Sequence, residues 1–200
     1  MFYEPGNGHG LPYNPFKAIV APRPIGWIST RAADGTPNLA PYSFFNAVSD
    51  TPPLVMFSSS GRKDSMETAE ATGEFVCNLV GEAQFRAMNQ TSFAYDRDIS
   101  EFAEAGLEEA ECRLVAAPRV AGAPAALECV VTEIMRPKDR FGTPSENWLV
   151  FGEVIGVHID EAMLTDGRFD LEKAKPVTRL GYRDFGLSPP IVELARPEKG

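Results

Sequence analysis

Short apolar runs, separated by clusters of Gly, Pro, Asn and Asp, recur along the 200-residue chain. Runs of this length between such turn residues predict β-strands rather than long helices. We predict strands over residues 16–21, 25–30, 38–48, 54–57, 74–80, 114–118, 125–135 and 148–159. Asp34 and Gly35 mark the turn of a hairpin between the second and third of these strands.

Three short helical segments interrupt the strands. A helix over 65–72 has Asp64 as its N-cap, Glu67 three positions later and Gly73 after its last turn, which is typical of helix ends. A second helix is predicted over residues 81–91, and a third, capped by either Asp98 or Ser100, runs to Ala105 and is stopped by Gly106. About seven strands with so few helices suggest a mainly β barrel with helices packed on one side. A doubly wound parallel sheet is the less favoured alternative.

The chain shows no composition shift or repeat that would divide it. Because 200 residues are typical of one domain, we predict a single domain over residues 1–200. A Gly-rich lead forms a peripheral N-terminal arm, and a Pro-rich tail beyond Leu187 wraps the surface.

The strand predicted over 148–159 carries an alternating pattern. Phe151, Ile155 and Val157 share one face, while Gly152 and Gly156 lie on the other. Glycines inside a strand indicate a bulge or the close approach of another group.

The formal net charge of −9 argues against binding to nucleic acid or to an anionic membrane surface, since both need clustered cations. Cys77, Cys112 and Cys129 are odd in number and widely spaced, so we expect no disulfide framework and a cytoplasmic location. The sequence begins without the pattern of a signal peptide, and no apolar run is long enough for a membrane span.

The sequence contains no HExxH metalloprotease motif, no GxSxG hydrolase motif and no P-loop motif. His9 and His158 are the only histidines, and His9 lies in the arm, so we predict no metal site and assign no catalytic residue. His158 is either a structural histidine or a pocket residue. Such a lack of acid–base groups is consistent with an enzyme whose cofactor carries the chemistry.

Residues 58–63, Ser-Ser-Ser-Gly-Arg-Lys, precede the predicted helix start at Asp64 and Ser65. Hydroxyls, cations and backbone N–H groups at a helix N-terminus are what a phosphate monoester needs. An ordinary solvated strand-to-helix loop is the alternative. A carboxylate at Asp64 would disfavour the phosphate unless it points away.

Residues 40–46 combine two phenylalanines and a tyrosine with a serine hydroxyl and an asparagine amide. Flat heteroaromatic ligands are bound by such mixtures of apolar walls and polar groups. A core strand that contains phenylalanines is the alternative.

Several motifs in order resemble the flavin reductase-like family of FMN-binding split barrels. They are PRPIGWIST, DGTPNLAPYSFFNAVSDTPPLVMFS, RKDS, GEFVCNLV, PRVAGAPAALEC, FGEVIGVHID and KPVTRLGY. The motifs lie between residues 22 and 182, and the resemblance as a whole covers roughly residues 14–182. The chain looks closest to flavoredoxin-like proteins and to the reductase components of two-component flavin monooxygenases. The resemblance implies a six-stranded Greek-key-like split β-barrel, a homodimer, and FMN near the dimer interface.

The resemblance also implies which residues hold FMN. The isoalloxazine would lie along Tyr42, Ser43, Phe44, Phe45 and Asn46, and the ribityl chain and phosphate would be surrounded by Ser58, Ser59, Arg62, Lys63, Asp64 and Ser65. Arg23 and Thr30 would face the same pocket from the opening hairpin. His158, Arg179 and Tyr182 match later motifs and are assigned to the substrate pocket, Arg179 and Tyr182 near the flavin from either subunit.

By the same resemblance, the activity is that of an NAD(P)H-dependent flavin reductase that passes hydride to FMN. A downstream monooxygenase or another flavin acceptor would be its partner. A flavoredoxin-like electron carrier and a module that has kept the barrel without catalysis are the alternatives.

Overall fold

A curled, antiparallel, seven-stranded sheet forms the body of the protein. The computed structural model describes residues 1–187 and 190–197. Within them the strands are β1 Arg23–Pro24, β2 Gly26–Arg31, β3 Pro37–Tyr42, β4 Phe45–Asp50, β5 Pro53–Ser60, β6 Glu74–Leu79, β7 Glu109–Ala110, β8 Arg119–Val120, β9 Ala125–Met135, β10 Asn147–Ile159, β11 Leu164–Thr165, β12 Arg168–Phe169, β13 Val177–Arg179 and β14 Phe185–Leu187. The α-helices are α1 Phe16–Ile19, α2 Asp64–Thr72, α3 Phe85–Gln90, α4 Glu101–Glu104 and α5 Leu171–Ala174, and single 3₁₀ turns span Pro5–Asn7, Glu82–Gln84 and Glu161–Met163.

The sheet is curled, which brings its two edge strands close to each other at one end. Its strand order is β3-β2-β6-β9-β10-β5-β4, so β3 and β4 are the edge strands. Only Ser43 and Phe44 join them in sequence. Across this junction Ser58 N–H donates to the Phe44 carbonyl at 2.8 Å. At Gly26 in β2, a Cβ atom would lie 2.5 Å from the Phe45 ring of β4, so the absence of a side chain lets that ring pack there. This closure is the barrel that the sequence predicts.

The sequence predicts one strand over 38–48, and this detail is wrong. The chain leaves the ladder at Ser43 and Phe44 because it passes there from one edge of the sheet to the other. The predicted strand therefore becomes β3 and β4, and the sheet has seven strands.

Two other predicted strands are replaced by different structures. Residues 16–19 form helix α1, whose turn is closed by the Ile19 N–H, which donates to the Pro15 carbonyl at 2.9 Å. Just before it, Asn14 Oδ1 accepts the Phe16 N–H at 3.0 Å. Residues 114–118 form no strand because their N–H groups are used by two carboxylates. Glu128 accepts from Leu114 and Val115, and Glu74 accepts from Ala116 and Ala117, so no ladder forms there.

The predictions for β9, β10 and α2 are confirmed to within a residue at most boundaries. Gly73 ends α2 with a left-handed backbone, φ 76°. Asp64, however, is the first helical residue and not the N-cap, which is Lys63. Ser58, Ser59 and Ser60, predicted as loop, continue β5 and pair with β10.

The core lies on the glycine-bearing face of β10. A Cβ at Gly152 would lie 2.5 Å from the ring of Phe75, and the β9–β10 register shifts beside both Gly152 and Gly156. The predicted close approach and bulges are therefore confirmed. Because the core takes this face, Ile155 and Val157 on the other face point outward and are exposed.

The predicted tail can be followed only in part. Residues 190–197 are exposed and without regular structure, and residues 188–189 and 198–200 lie outside the described residues. In the segment that precedes the tail, Val177 of β13 is buried in the core.

Candidate functional site

A cleft of about 580 Å³ opens where the N-terminus of α2 faces the β3–β4 junction. We call it the main cleft. Eight of the thirteen residues predicted to bind the cofactor line it: Tyr42, Ser43, Phe44, Ser58, Arg62, Lys63, Asp64 and Ser65. Its volume is in the range of small-molecule and cofactor sites. The barrel closure produces this cleft, because it brings residues 42–44 beside residues 58–65.

One end of the main cleft, which we call the helix end, is suited to an anion. The first N–H groups of α2 have no acceptor inside the helix and point outward from its positive end. Lys63 is the N-cap and lines the cleft, and it forms no ion pair with any described residue. From the sheet side, Asn147 Nδ2 donates to Ser58 Oγ at 2.8 Å. These groups together could hold a phosphate.

The two arginines near the helix end are already paired. Arg62 lies 3.3 Å from Glu67 and also pairs with Glu70, and its guanidinium lies 5.1 Å from the centre of the Trp148 ring. Hydrogen bonding to Glu70 raises the pKa of Arg62. Arg97 pairs with Asp64 at 2.8 Å and with Glu67. Hydrogen bonding to Glu67 raises the pKa of Arg97.

A hydrogen-bonded chain of side chains forms the floor of the cleft. Glu101 Oε1 accepts from Asn38 Nδ2 at 2.8 Å, and Oε2 accepts from the Leu39 N–H at 3.0 Å. Ser65 Oγ then donates to Asn38 Oδ1 at 2.6 Å. Burial raises the pKa of Glu101. The chain fixes the orientation of the Asn38 amide, because each end of it has a partner.

Within the part of the chain that the structure describes, two buried hydroxyls have no hydrogen-bond partner. They are Tyr42 Oη, in a side chain that lines the cleft, and Thr30 Oγ1 in β2. Burial raises the pKa of Tyr42. A buried hydroxyl without a partner is unfavourable, so the one at Tyr42 points to a ligand with polar atoms.

The other end of the main cleft, which we call the ring end, is formed around Phe44. Lys17 Nζ and the Arg23 guanidinium lie 5.7 and 5.8 Å from the centre of its ring. Arg23 donates to the carbonyls of Lys17 and Val20, and to that of Leu180 at 2.7 Å. Arg23 therefore connects the α1 segment to the segment that follows β13, and it does not itself line the cleft.

A side pocket of about 200 Å³ adjoins the ring end. It shares Pro41, Ser43 and Ser92 with the main cleft, and Arg179 and Phe185 form its other wall. The Arg179 guanidinium lies 4.3 Å from the centre of the Phe185 ring. The predicted substrate residue Arg179 thus lies beside the predicted cofactor residues.

Other predicted residues lie outside the cleft lining. Phe45 packs on Gly26, Asn46 is exposed and accepts the Ala47 N–H, and Ser59 is buried and donates to the Gly61 carbonyl. Tyr182 is half exposed and packs edge-on against Tyr13.

His158 lies in a different part of the molecule, toward the far end of β10. Its Nε2 is 2.5 Å from Glu128 Oε1, and Cys112 lies close by. Glu128 is buried and also accepts the N–H groups of Arg113, Leu114 and Val115. Burial alone would raise the pKa of Glu128, but these backbone hydrogen bonds and the one with His158 lower it. This cluster ties residues 113–115 to the sheet.

Several residues that line the main cleft are not predicted from the sequence: Lys17, Asn38, Glu101, Asn147 and residues 91–95. Asn38 lies within the DGTPNLAPYS motif, where its side-chain amide is a signal for a binding residue. Lys17, Glu101 and Asn147 carried none, because they come from segments far apart in sequence.

No helix in the described ranges is both long and apolar enough to cross a membrane.

The family profile described as "Flavin reductase like domain" matches residues 20–175. Among curated proteins, an uncharacterized protein of Aquifex aeolicus (strain VF5) is 35% identical over 173 residues, which are 84% of this chain and 85% of that protein.

Two solved structures show the same fold. Nitrilotriacetate monooxygenase component B from Bacillus cereus is 29% identical, with a TM-score of 0.87 over 97% of this chain and 98% of that one. The flavoredoxin of Desulfovibrio vulgaris (Miyazaki F) is 22% identical, with a TM-score of 0.77 over 98% and 97% of the two chains. At that identity the likeness to the flavoredoxin concerns the fold alone.

Proposed function

The chain belongs to the family of flavin reductase-like domains and has the split-barrel fold predicted from its sequence, and from this premise we propose that it binds FMN in the main cleft and reduces it with hydride from NAD(P)H. The proposal rests chiefly on one observation. A single cleft has a helix end that is suited to an anion and, at its ring end, aromatic residues with a break in the strand ladder.

The side chains of the cleft fit the chemical groups of FMN. Lys63, the N–H groups of α2 and the Ser58–Asn147 pair would hold the phosphate. Tyr42 Oη, buried without a partner, would gain one from the ligand. At the ring end, the chain leaves the sheet ladder at Ser43, so its backbone polar groups can serve the polar edge of the ring.

Bound FMN would supply the redox chemistry, by accepting two electrons and a proton as hydride from the dihydronicotinamide and leaving NAD(P)⁺. The protein then has to bind, orient and shield the reactants. The side pocket between Ser43 and Arg179 adjoins the ring end, and we assign it to the nicotinamide. Phe44 and the 91–95 segment would exclude water from the ring.

A flavoredoxin-like electron carrier is the second candidate, and the likeness of fold to a flavoredoxin favours it. The two functions differ in whether a nicotinamide reduces the bound flavin directly. A module that has kept the barrel without catalysis is the third candidate, and it differs from both in taking up no FMN.

Anaerobic reduction of the FMN-loaded protein distinguishes these functions. We expect NADH or NADPH to bleach the visible absorption band of the oxidised flavin within the dead time of manual mixing. If only dithionite bleaches it, the reductase proposal is wrong and the carrier is supported. If purified protein is colourless and added FMN does not bind, the cleft assignment itself is wrong.

We further propose that the protein is a homodimer that uses the outer face of β9 and β10. Val130, Ile155, Val157 and Ile159 are apolar and 40–59% exposed there, which is unusual for a surface left in water. A second copy of the chain is the occupant that this face would suit, with the expected FMN site near the interface.

We also propose an electron acceptor and a cytoplasmic location for the protein. A monooxygenase or another flavin acceptor would take the electrons, as the likeness to a monooxygenase component suggests. All three cysteines are unpaired, which agrees with the reducing conditions of the cytoplasm.

A further inference from the structure

Three cations meet at the ring end of the main cleft without a carboxylate beside them. Lys17 and Arg23 flank the Phe44 ring, and Arg179 is paired with Arg23 across β1 and β13. None of the three forms an ion pair with any residue that the structure describes. At the helix end, by contrast, Arg62 and Arg97 are both paired with carboxylates. In a protein of net charge −9, this unneutralised group of cations requires an explanation.

The three cations are not equally free to meet a ligand. The guanidinium of Arg23 is committed to three backbone carbonyls. Burial, and then the charge of Arg179, lower the pKa of Arg23. Arg179 donates to the Tyr182 carbonyl at 2.7 Å and lies on the Phe185 ring. Lys17 lines the cleft with its ammonium 5.7 Å from the centre of the Phe44 ring, and the ammonium forms no ion pair with a described residue.

Lys17 is also held in place by its backbone. Arg23 binds its carbonyl oxygen, and the next residue, Ala18, packs against Gly181, where a Cβ would lie 2.4 Å from the Ala18 Cβ. The short helix α1 is thereby fixed to the C-terminal segment. An ammonium on such a fixed backbone can act at a defined place in the cleft, although its side chain is exposed.

We propose that Lys17 is a positioning and charge-stabilising residue for the reduced form of the flavin. The inference rests on the proposed function, since it requires that FMN binds with its ring beside Phe44 and the pyrimidine end of the ring toward Lys17. Two-electron reduction adds negative charge to the pyrimidine end of the flavin ring. A cation nearby stabilises that charge and has little effect on the neutral oxidised ring. Lys17 therefore makes the protein bind reduced FMN more tightly than oxidised FMN.

The helix end provides a matched control. Lys63 would contact the phosphate, whose charge does not change on reduction of the ring. Removing the Lys63 charge should weaken both oxidation states equally, whereas removing the Lys17 charge should weaken the reduced state alone. Lys63 would thus bind both oxidation states of FMN equally, whereas Lys17 would bind the reduced state more tightly than the oxidised state.

The experiment compares wild type, Lys17→Gln, Lys17→Arg and Lys63→Gln, each prepared without flavin and then loaded with FMN. The affinity for oxidised FMN is measured by fluorescence titration, and the midpoint potential of bound FMN by anaerobic dye equilibration. For Lys17→Gln we expect about a tenfold loss in preference for the reduced state, which lowers the two-electron potential by about 30 mV. Lys17→Arg keeps the charge and should retain the wild-type potential within about 10 mV, a third of that shift.

For Lys63→Gln we expect a weaker affinity for oxidised FMN and an unchanged potential. An unchanged potential in Lys17→Gln, or a potential lowered equally by Lys63→Gln, overturns the inference and leaves the proposed FMN site standing. Failure of the wild type to bind FMN overturns the proposed site itself, and the inference with it. Circular dichroism of each variant without flavin checks that the barrel is intact.

Discussion

Arg97 Nε lies 2.8 Å from Asp64 Oδ1, and the same guanidinium also pairs with Glu67. Asp64 is the first residue of α2, at the end of the cleft assigned to the phosphate. Its negative charge would oppose a phosphate dianion, and Arg97 neutralises it from a segment more than thirty residues away. With the proposed FMN bound, this pair would reduce the repulsion between the Asp64 carboxylate and the phosphate.

We expect Arg97→Gln to weaken FMN binding by about two- to fivefold, the range set by an exposed ion pair. The physical reason is an uncompensated Asp64 beside the phosphate. The double variant with Asp64→Asn should recover the affinity. Titration with FMN and with riboflavin measures the effect. An equal loss for riboflavin, which has no phosphate, would contradict this account.

Lys63→Gln should weaken FMN binding by tenfold or more, because a charge-assisted contact to phosphate is worth about 1.5–3 kcal/mol. Arg62→Gln should have a smaller effect, since Glu67 and Glu70 already share the charge of Arg62. The double variant Arg62→Ala with Lys63→Ala should lose at least as much affinity as Lys63→Gln. Isothermal titration with FMN compares the three, and riboflavin is again the control ligand. Equal affinity of the double variant and wild type would remove the phosphate assignment.

Tyr42→Phe should weaken FMN binding without lowering the stability of the ligand-free protein. Without ligand, the variant should unfold in urea at the same or a higher concentration than wild type, since it lacks a buried hydroxyl that has no partner. With FMN, it should bind more weakly, by about five- to tenfold if the hydroxyl contacts the ligand. A clear loss of stability without ligand would show that the hydroxyl has a partner within the protein.

Glu128→Gln should destabilise the protein by about 2 kcal/mol at neutral pH, because it puts an NH₂ group among N–H donors and removes a buried charged acceptor. The pKa of Glu128 is lowered in the folded state, so its stabilising effect is complete above the unfolded pKa of about 4.3. The effect is lost as the pH falls from there through the folded pKa.

Urea unfolding of wild type and Glu128→Gln, between neutral pH and pH of about 3, tests this sign. The difference between their free energies of unfolding should be constant near neutrality and shrink in acid. A difference that grows on acidification would mean that Glu128 is protonated in the folded protein.

Val157→Glu should convert the proposed dimer to a monomer, since it places a charge on the apolar outer face of β10. Val192→Glu is the control, because Val192 is 83% exposed in the tail and outside that face. Sedimentation equilibrium of wild type and both variants measures the assembly. A monomeric wild type, or loss of the dimer in both variants, would contradict the use of this face.

The sequence predicted the strands whose pattern is local. Strands β9 and β10 were predicted because each is a long run with β-branched residues. The close approach at Gly152 was predicted because a glycine inside a strand leaves room for a neighbouring group. What could not be predicted depends on partners distant in sequence. Residues 114–118 look like a strand until the Glu74 and Glu128 carboxylates take their N–H groups.

In the candidate site, too, residues in local motifs were predicted and residues from distant segments were not. Tyr42–Phe44 and Lys63–Ser65 were found because each is a continuous motif. Lys17 and Asn147 were missed because only the closed barrel and the anchored arm bring them to the cleft. His158 occupies a recognisable motif, yet its partner Glu128 lies on the neighbouring strand, and nothing in the sequence shows which face of β10 it would take.

The contact between Gly26 and Phe45 has a consequence for the evolution of related sequences. A methyl group at position 26 and an aromatic ring at position 45 cannot occupy the same space. The two positions should therefore change together, and relatives with Ala or Ser at 26 should carry a smaller or differently directed side chain at 45. A relative that changes position 26 alone would have to move β4 away from β2. This movement would alter the β3–β4 junction, which also lines the main cleft.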